Sequence, residues 1–96
     1  MNVLTRSDKI KVEILIFLGD QKKEITPSFI SKSMGIKYET VKNALNFLEI
    51  IGLVEKNIVN YKIKSYEYFL LTHLGKKVFE GISYATGLFR KEKNKI

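Results

Sequence analysis

The sequence predicts a single mainly α-helical domain, residues 1–96, with a small β-hairpin. Its elements run helix, short strand, helix, helix, strand, strand, long helix. Three observations predict this. Apolar residues at Val41, Ala44, Leu45, Leu48 and Ile51 recur at helical spacing between Gly35 and Gly52. A short segment opened by Thr26-Pro27, with Phe29, Ile30 and Met34 as its apolar face, stands just before them. The β-forming run Tyr66-Glu67-Tyr68-Phe69-Leu70-Leu71 follows, and a last amphipathic stretch closes the chain.

The first helix is read over 6–19. Thr5 with Asp8 three residues on forms a capping box with Asp in place of Glu. Ile10, Ile14, Phe17 and Leu18 make one stripe, and Val12, Leu15 and Ile16 cover much of the rest. A surface helix is not apolar nearly all round, so this one belongs in the core and is expected to touch a second subunit as well. Gly19-Asp20-Gln21-Lys22-Lys23 reads as a polar turn, and Glu24-Ile25 as a short strand. Residues 27–34 form the second helix, from the Thr26 cap and Pro27 at the first helical position. Gly35 supplies a tight turn, because glycine takes left-handed backbone angles cheaply. The third helix is read over 38–51 and stops at Gly52. Two helices joined this way make a helix-turn-helix. Strands are read at Leu53–Ile58 and Tyr66–Leu71 of a hairpin spanning 53–71, with Asn57 to Ser65 as its tip. Thr72 caps the last helix, read over 73–91, whose stripe is Leu74, Val78, Ile82, Ala85, Leu88 and Phe89.

Gly35-Ile36, Thr40-Val41, Leu45, Leu48-Glu49 and Gly52-Leu53-Val54, with the second block Phe69-Leu70-Leu71-Thr72-x-x-Gly75, resemble the winged-helix family of DNA-binding proteins. The resemblance spans roughly residues 8 to 80. It extends to small transcriptional regulators of the multiple-antibiotic-resistance-like (MarR-like) and PadR-like groups. Two positions depart from the pattern. Lys37 stands where many relatives have a Ser or Thr cap, and Phe47 where a polar residue is usual, which suggests packing on the wing or a partner. A capped helix before an amphipathic one also occurs in all-α domains; the Gly-Leu-Val exit and the strands after it separate the two readings.

The resemblance implies a homodimer on double-stranded DNA, with the third helix entering the major groove. Its exposed side chains are then Lys37, Tyr38, Glu39, Lys42, Asn43 and Asn46. Asn43 suits an adenine edge and Glu39 a cytosine amine, while Thr40 and Lys42 suit phosphate. Ser28 and Lys32 on the preceding helix hold the backbone. Asn60, Tyr61, Lys62 and Lys64 in the wing lie over the next groove. The apolar stripe of the last helix exceeds what one small core needs, so Ile82, Ala85, Leu88 and Phe89 are expected to pair with a second copy.

Charge agrees with a polyanion partner. Seventeen Lys and Arg against ten Asp and Glu give a net charge of +7. Arg6 and Arg90 are the only arginines. Lysine serves phosphate as a point charge but reads guanine poorly, which favours phosphate-dominated binding or A·T-rich targets. The absence of cysteine excludes disulfides and thiolate metal sites. His73 stands alone without the companions a metal site needs. Acidic residues are scattered singly and no glycine-rich phosphate loop follows a strand, so an enzyme is not expected. Neither a cofactor nor a small-molecule ligand is implied. With no membrane span and no signal peptide, the expected place is the cytoplasm, in association with the nucleoid. Repression of transcription is the first functional reading. A DNA-organising role, as in plasmid partition or chromatin, is the second, and a protein-interaction module the third.

Overall fold

Side-chain caps and glycine turns set the element boundaries. The computed structural model describes residues 5–21 and 23–94, with side chains described as far as Ala85. The elements are α1 (Arg6–Gln21), α2 (Pro27–Met34), α3 (Tyr38–Ile50), β1 (Val54–Tyr61), β2 (Lys64–Leu71) and α4 (His73–Asn94). At α1 the Asp8 N–H donates to Thr5 Oγ1 at 3.1 Å, the first half of a capping box. The Asp8 carboxylate sits 3.7 Å from Lys11 Nζ. At α2 the Phe29 N–H donates to Thr26 Oγ1 at 3.2 Å, with Pro27 at the helix start.

Gly35 at φ 67 and Gly52 at φ 83 take the left-handed turns that end α2 and α3. After α3 the Gly52 N–H reaches Glu49 O at 3.0 Å and the Leu53 N–H reaches Leu48 O at 2.9 Å. This pair of bonds closes the helix and aims the chain into β1. Between α2 and α3, Ser31 Oγ donates to Ile36 O at 2.5 Å and fixes the turn.

β1 and β2 form an antiparallel hairpin whose register runs from Val54↔Leu71 to Tyr61↔Lys64. The strands are longer than the sequence predicts. Residues 57–65 are not an open tip: the ladder continues through them, and only Lys62 and Ile63 turn. Val59 faces Tyr66 across the strands, and Ser65 Oγ donates to Asn60 Oδ1 at 2.6 Å, so side-chain pairing carries the ladder to the end. The expected strand at Glu24-Ile25 is a single antiparallel bridge, Ile25 to Phe69, with N–H···O distances of 3.1 and 2.8 Å.

The core lies between α1, α3 and the base of the hairpin. Phe69, Ile14, Ile30, Leu45, Val41 and Val54 are its fully buried side chains. α1 runs two residues past its predicted end, through Asp20 and Gln21, with Gly19 inside it. A Cβ at Gly19 would stand 2.2 Å from the ring of Phe79 on α4. Close packing there outweighs the roughly 1 kcal/mol that glycine costs a helix.

α4 also departs from its predicted face. Val78, Phe79 and Ile82 pack against the core, and Gly75 lies so near Leu53 that an added Cβ would meet its carbonyl oxygen. Leu74, at the head of the predicted stripe, is exposed instead. The Gly75 contact sets the rotation of the helix, and that rotation turns Leu74 outward. Thr72 holds the start of α4 twice over: its hydroxyl donates to Gly52 O at 2.6 Å and accepts from the Gly75 N–H at 3.0 Å. Among the described residues, no helix is long and apolar enough to cross a membrane.

Candidate nucleic-acid interface

The candidate recognition surface follows from how α3 is rotated. Val41, Ala44, Leu45 and Leu48 are buried. At 100° per residue this turns Glu39, Asn43, Asn46 and Ile50 directly outward, and all four are exposed. Two asparagines and a glutamate on an exposed helix row carry the donors and acceptors that read base edges. Ile50 extends the row with an apolar surface, 83% exposed, suited to a thymine methyl. The apolar stripe predicted from the sequence takes in Ile51 and leaves Ile50 without a role.

The two flanks of this row differ. Toward the wing stands Lys42, half-buried and hydrogen-bonded to Glu67 Oε1 on β2. Lys56 Nζ on β1 lies 3.6 Å from the other carboxylate oxygen. The Lys42 hydrogen bond holds the Glu67 carboxyl below its ordinary value of 4.5; partial burial opposes this, and the charges of Lys42 and Lys56 add to it. Lys42 is therefore an ion-paired side chain in the folded chain, unlike the unpaired phosphate ligand that helical position alone suggests.

Toward α1 stand Thr40, half-buried, and Phe47. Lys11 Nζ on α1 lies 4.1 Å from the centre of the Phe47 ring, which stays exposed. A groove between α1 and α3 is lined by Arg6, Ser7, Lys11, Lys37, Thr40 and Asn43. Arg6 and Lys11 are cations that sequence reading missed. They lie far from α3 in the chain, and only the packing of the two helices brings them beside it.

Lys37 occupies the N-cap of α3 without a side-chain cap bond. Its exposed ammonium thus adds to the positive end of the helix dipole, an arrangement suited to an anion. Tyr38 beside it is half exposed. On α2, Ser28 and Lys32 are exposed one turn apart. On the hairpin, Asn60, Tyr61, Lys62 and Lys64 are all exposed. Lys62 takes a left-handed φ of 58 at the turn, and its Nζ lies 5.5 Å from the Tyr61 ring centre. Ile63 beside it is 99% exposed, a second apolar group that the sequence reading omitted.

The predicted dimer residues divide. Ile82 is half-buried against the core of its own chain, and Ala85 is exposed. Leu88 and Phe89 lie outside the residues whose side chains are described. His73 is exposed at the first position of α4. Among the described residues, no group of three His, Cys, Asp or Glu is placed to hold a metal ion.

No family model and no curated protein matches the chain. Solved structures do share its fold. A PadR family transcription regulator from Clostridium difficile R20291 superposes with a TM-score of 0.74 at 24% identity, over 90% of this chain and 95% of that one. The adhesin competence repressor AdcR from Streptococcus pyogenes superposes with a TM-score of 0.74 at 20% identity, over 96% of this chain and 63% of that one. FabT from Streptococcus pneumoniae, in complex with DNA, gives a TM-score of 0.72 at 21% identity, over 91% of this chain and 60% of that one. The chain thus spans less than two thirds of the latter two proteins and nearly all of the first. At these identities the shared property is the fold, a winged helix-turn-helix.

Proposed function

We propose that the chain binds double-stranded DNA as a homodimer and regulates transcription, acting as a repressor at a bounded operator. The observation that carries this is the exposed polar row Glu39, Asn43 and Asn46 on α3, with Lys37 at its head and the Lys62 and Lys64 wing beside it. The row enters the major groove, and Asn43 pairs with an adenine edge. Lys32, Lys37, Lys62 and Lys64 supply phosphate contacts, and Ser28, Thr40, Tyr38, Asn60 and Tyr61 complete the backbone contacts. Four phosphates neutralised per subunit give a log–log salt slope of about −7 for the dimer.

Dimerisation uses the outer side of α4. Leu74 and Ala85 are exposed there, and the space beside Gly81 is open in the monomer. That the solved structures of this fold include a repressor and a protein in complex with DNA supports the reading.

Selection of bound duplexes from a random pool, followed by footprinting, tests it. The expected result is a palindromic site with half-sites about 34 Å apart, protected with sharp limits. Asn43→Ala should change the preferred base at one position of each half-site. Protection that spreads from a site would favour the DNA-organising reading, which the lysine-rich surface also suits. A pool with no enrichment would sink duplex recognition.

A further inference from the structure

Glu67 occupies the face of β2 turned toward α3, and its carboxylate is shared by two lysines. Oε1 accepts from Lys42 Nζ on α3, and Oε2 lies 3.6 Å from Lys56 Nζ on β1. Glu67 pairs with Ile58 in the register, which places Lys56 diagonally across the strands on the same face. One carboxylate thus ties the recognition helix to both strands of the wing. The three side chains are between 25% and 32% exposed, so the cluster sits at the surface between helix and wing. A phosphate arriving there meets two cations that already share one carboxylate of its own charge.

We propose that Glu67 is a specificity-determining residue: an internal substitute for phosphate that withholds Lys42 and Lys56 from the DNA backbone. This lowers sequence-independent affinity and leaves discrimination to Glu39, Asn43 and Asn46. The inference rests on the duplex-binding reading above. A lysine that leaves Glu67 for a phosphate strands the carboxylate beside the polyanion, and that repulsion offsets the new contact. Neutral glutamine at 67 removes the competitor while keeping the size of the side chain.

A four-member cycle tests it: wild type, Glu67→Gln, Lys42→Gln and the double variant, titrated with a duplex of arbitrary sequence over a range of salt. Thermal melting of each variant checks folding. Each lysine released to phosphate should steepen the salt slope by about 0.9, and tighten binding roughly fivefold at about 0.15 M salt relative to 1 M. Glu67→Gln releases at least one lysine in each subunit of the dimer, so it should bind the arbitrary duplex at least ~25-fold more tightly than wild type. Lys42→Gln should leave the slope unchanged when Glu67 is present, and flatten it by about 0.9 per subunit when Gln is at 67. A merely structural brace would not produce that dependence on background.

An equal loss of slope on removing Lys42 in both backgrounds overturns the proposal, because Lys42 would then already contact phosphate. So does a Glu67→Gln variant with unchanged slope and affinity. If Glu67→Gln does not fold, Lys42→Gln against wild type decides alone: an unchanged slope supports the proposal and a flatter one overturns it. Wild-type protein that ignores duplex at low salt removes the parent reading and this inference with it. Wild-type binding with a flat cycle removes the inference alone.

Discussion

Thr72 shows how one side chain joins separate parts of this fold. Its hydroxyl bonds the carbonyl of the turn that ends α3 and the N–H that begins α4. Thr72→Ala breaks both bonds and strands the Gly52 carbonyl, so it should destabilise the chain by about 1–2 kcal/mol. Urea unfolding followed by circular dichroism checks this, and Thr72→Ser should restore most of the loss. The spacing Thr72-x-x-Gly75 shows in the sequence as a helix start. Its second meaning, glycine packed on the Leu53 carbonyl, depends on a contact 22 residues away and leaves no local trace. Lys37 is a different case, a cation at a cap position without a cap bond. Lys37→Ser should stabilise α3 by about 1 kcal/mol. The same variant should flatten the salt slope of duplex binding by about 0.9 per subunit. Paired melting and binding titrations would show the two effects moving in opposite directions.

The helices were legible as elements because each carries its own punctuation: Thr5, Thr26 and Thr72 at the starts, Gly35 and Gly52 at the ends. The wing was legible at its base, where Phe69 and Leu71 are buried, and was misread at its tip. No Asn-Gly or Asp-Gly dipeptide marks the turn. Lys62 takes the left-handed angle without the residue that usually announces it. An ion pair that chain order does not show ties the wing to α3. Glu67 is held below its ordinary value of 4.5 chiefly by the Lys42 hydrogen bond. A depressed carboxylate contributes stability above its unfolded pKa, and that contribution is lost as pH falls through the folded one. The advantage of wild type over Glu67→Gln in thermal melts should be complete near neutral pH and shrink below 4.5. A gap between the two that ignores pH would contradict the pairing.

At the scale of the molecule, the proposed dimer rests on α4. A helix of 22 residues is about 33 Å long, and the chain measures 57 Å along its longest axis against 25 and 24 Å across. Among the described residues of α4, the face bearing Gly75, Val78, Phe79 and Ile82 is the one committed to the core. Ala85 is exposed, so the monomer should tolerate a carboxylate there while a paired helix should not. Ala85→Glu should keep its helical circular dichroism, sediment as a monomer and lose most of its duplex affinity. Wild type should sediment as a dimer.

The outward row of α3 and the tip of the wing are proposed to meet duplex DNA together. Titration of isotopically labelled protein with a short duplex, followed by amide chemical shifts, tests it most directly. The expected result is a cluster of shifts at residues 37–50 and 60–65, with Asn43 and Lys62 among the largest, that fades as salt is raised. Shifts confined to α4, or none at low salt, would contradict it.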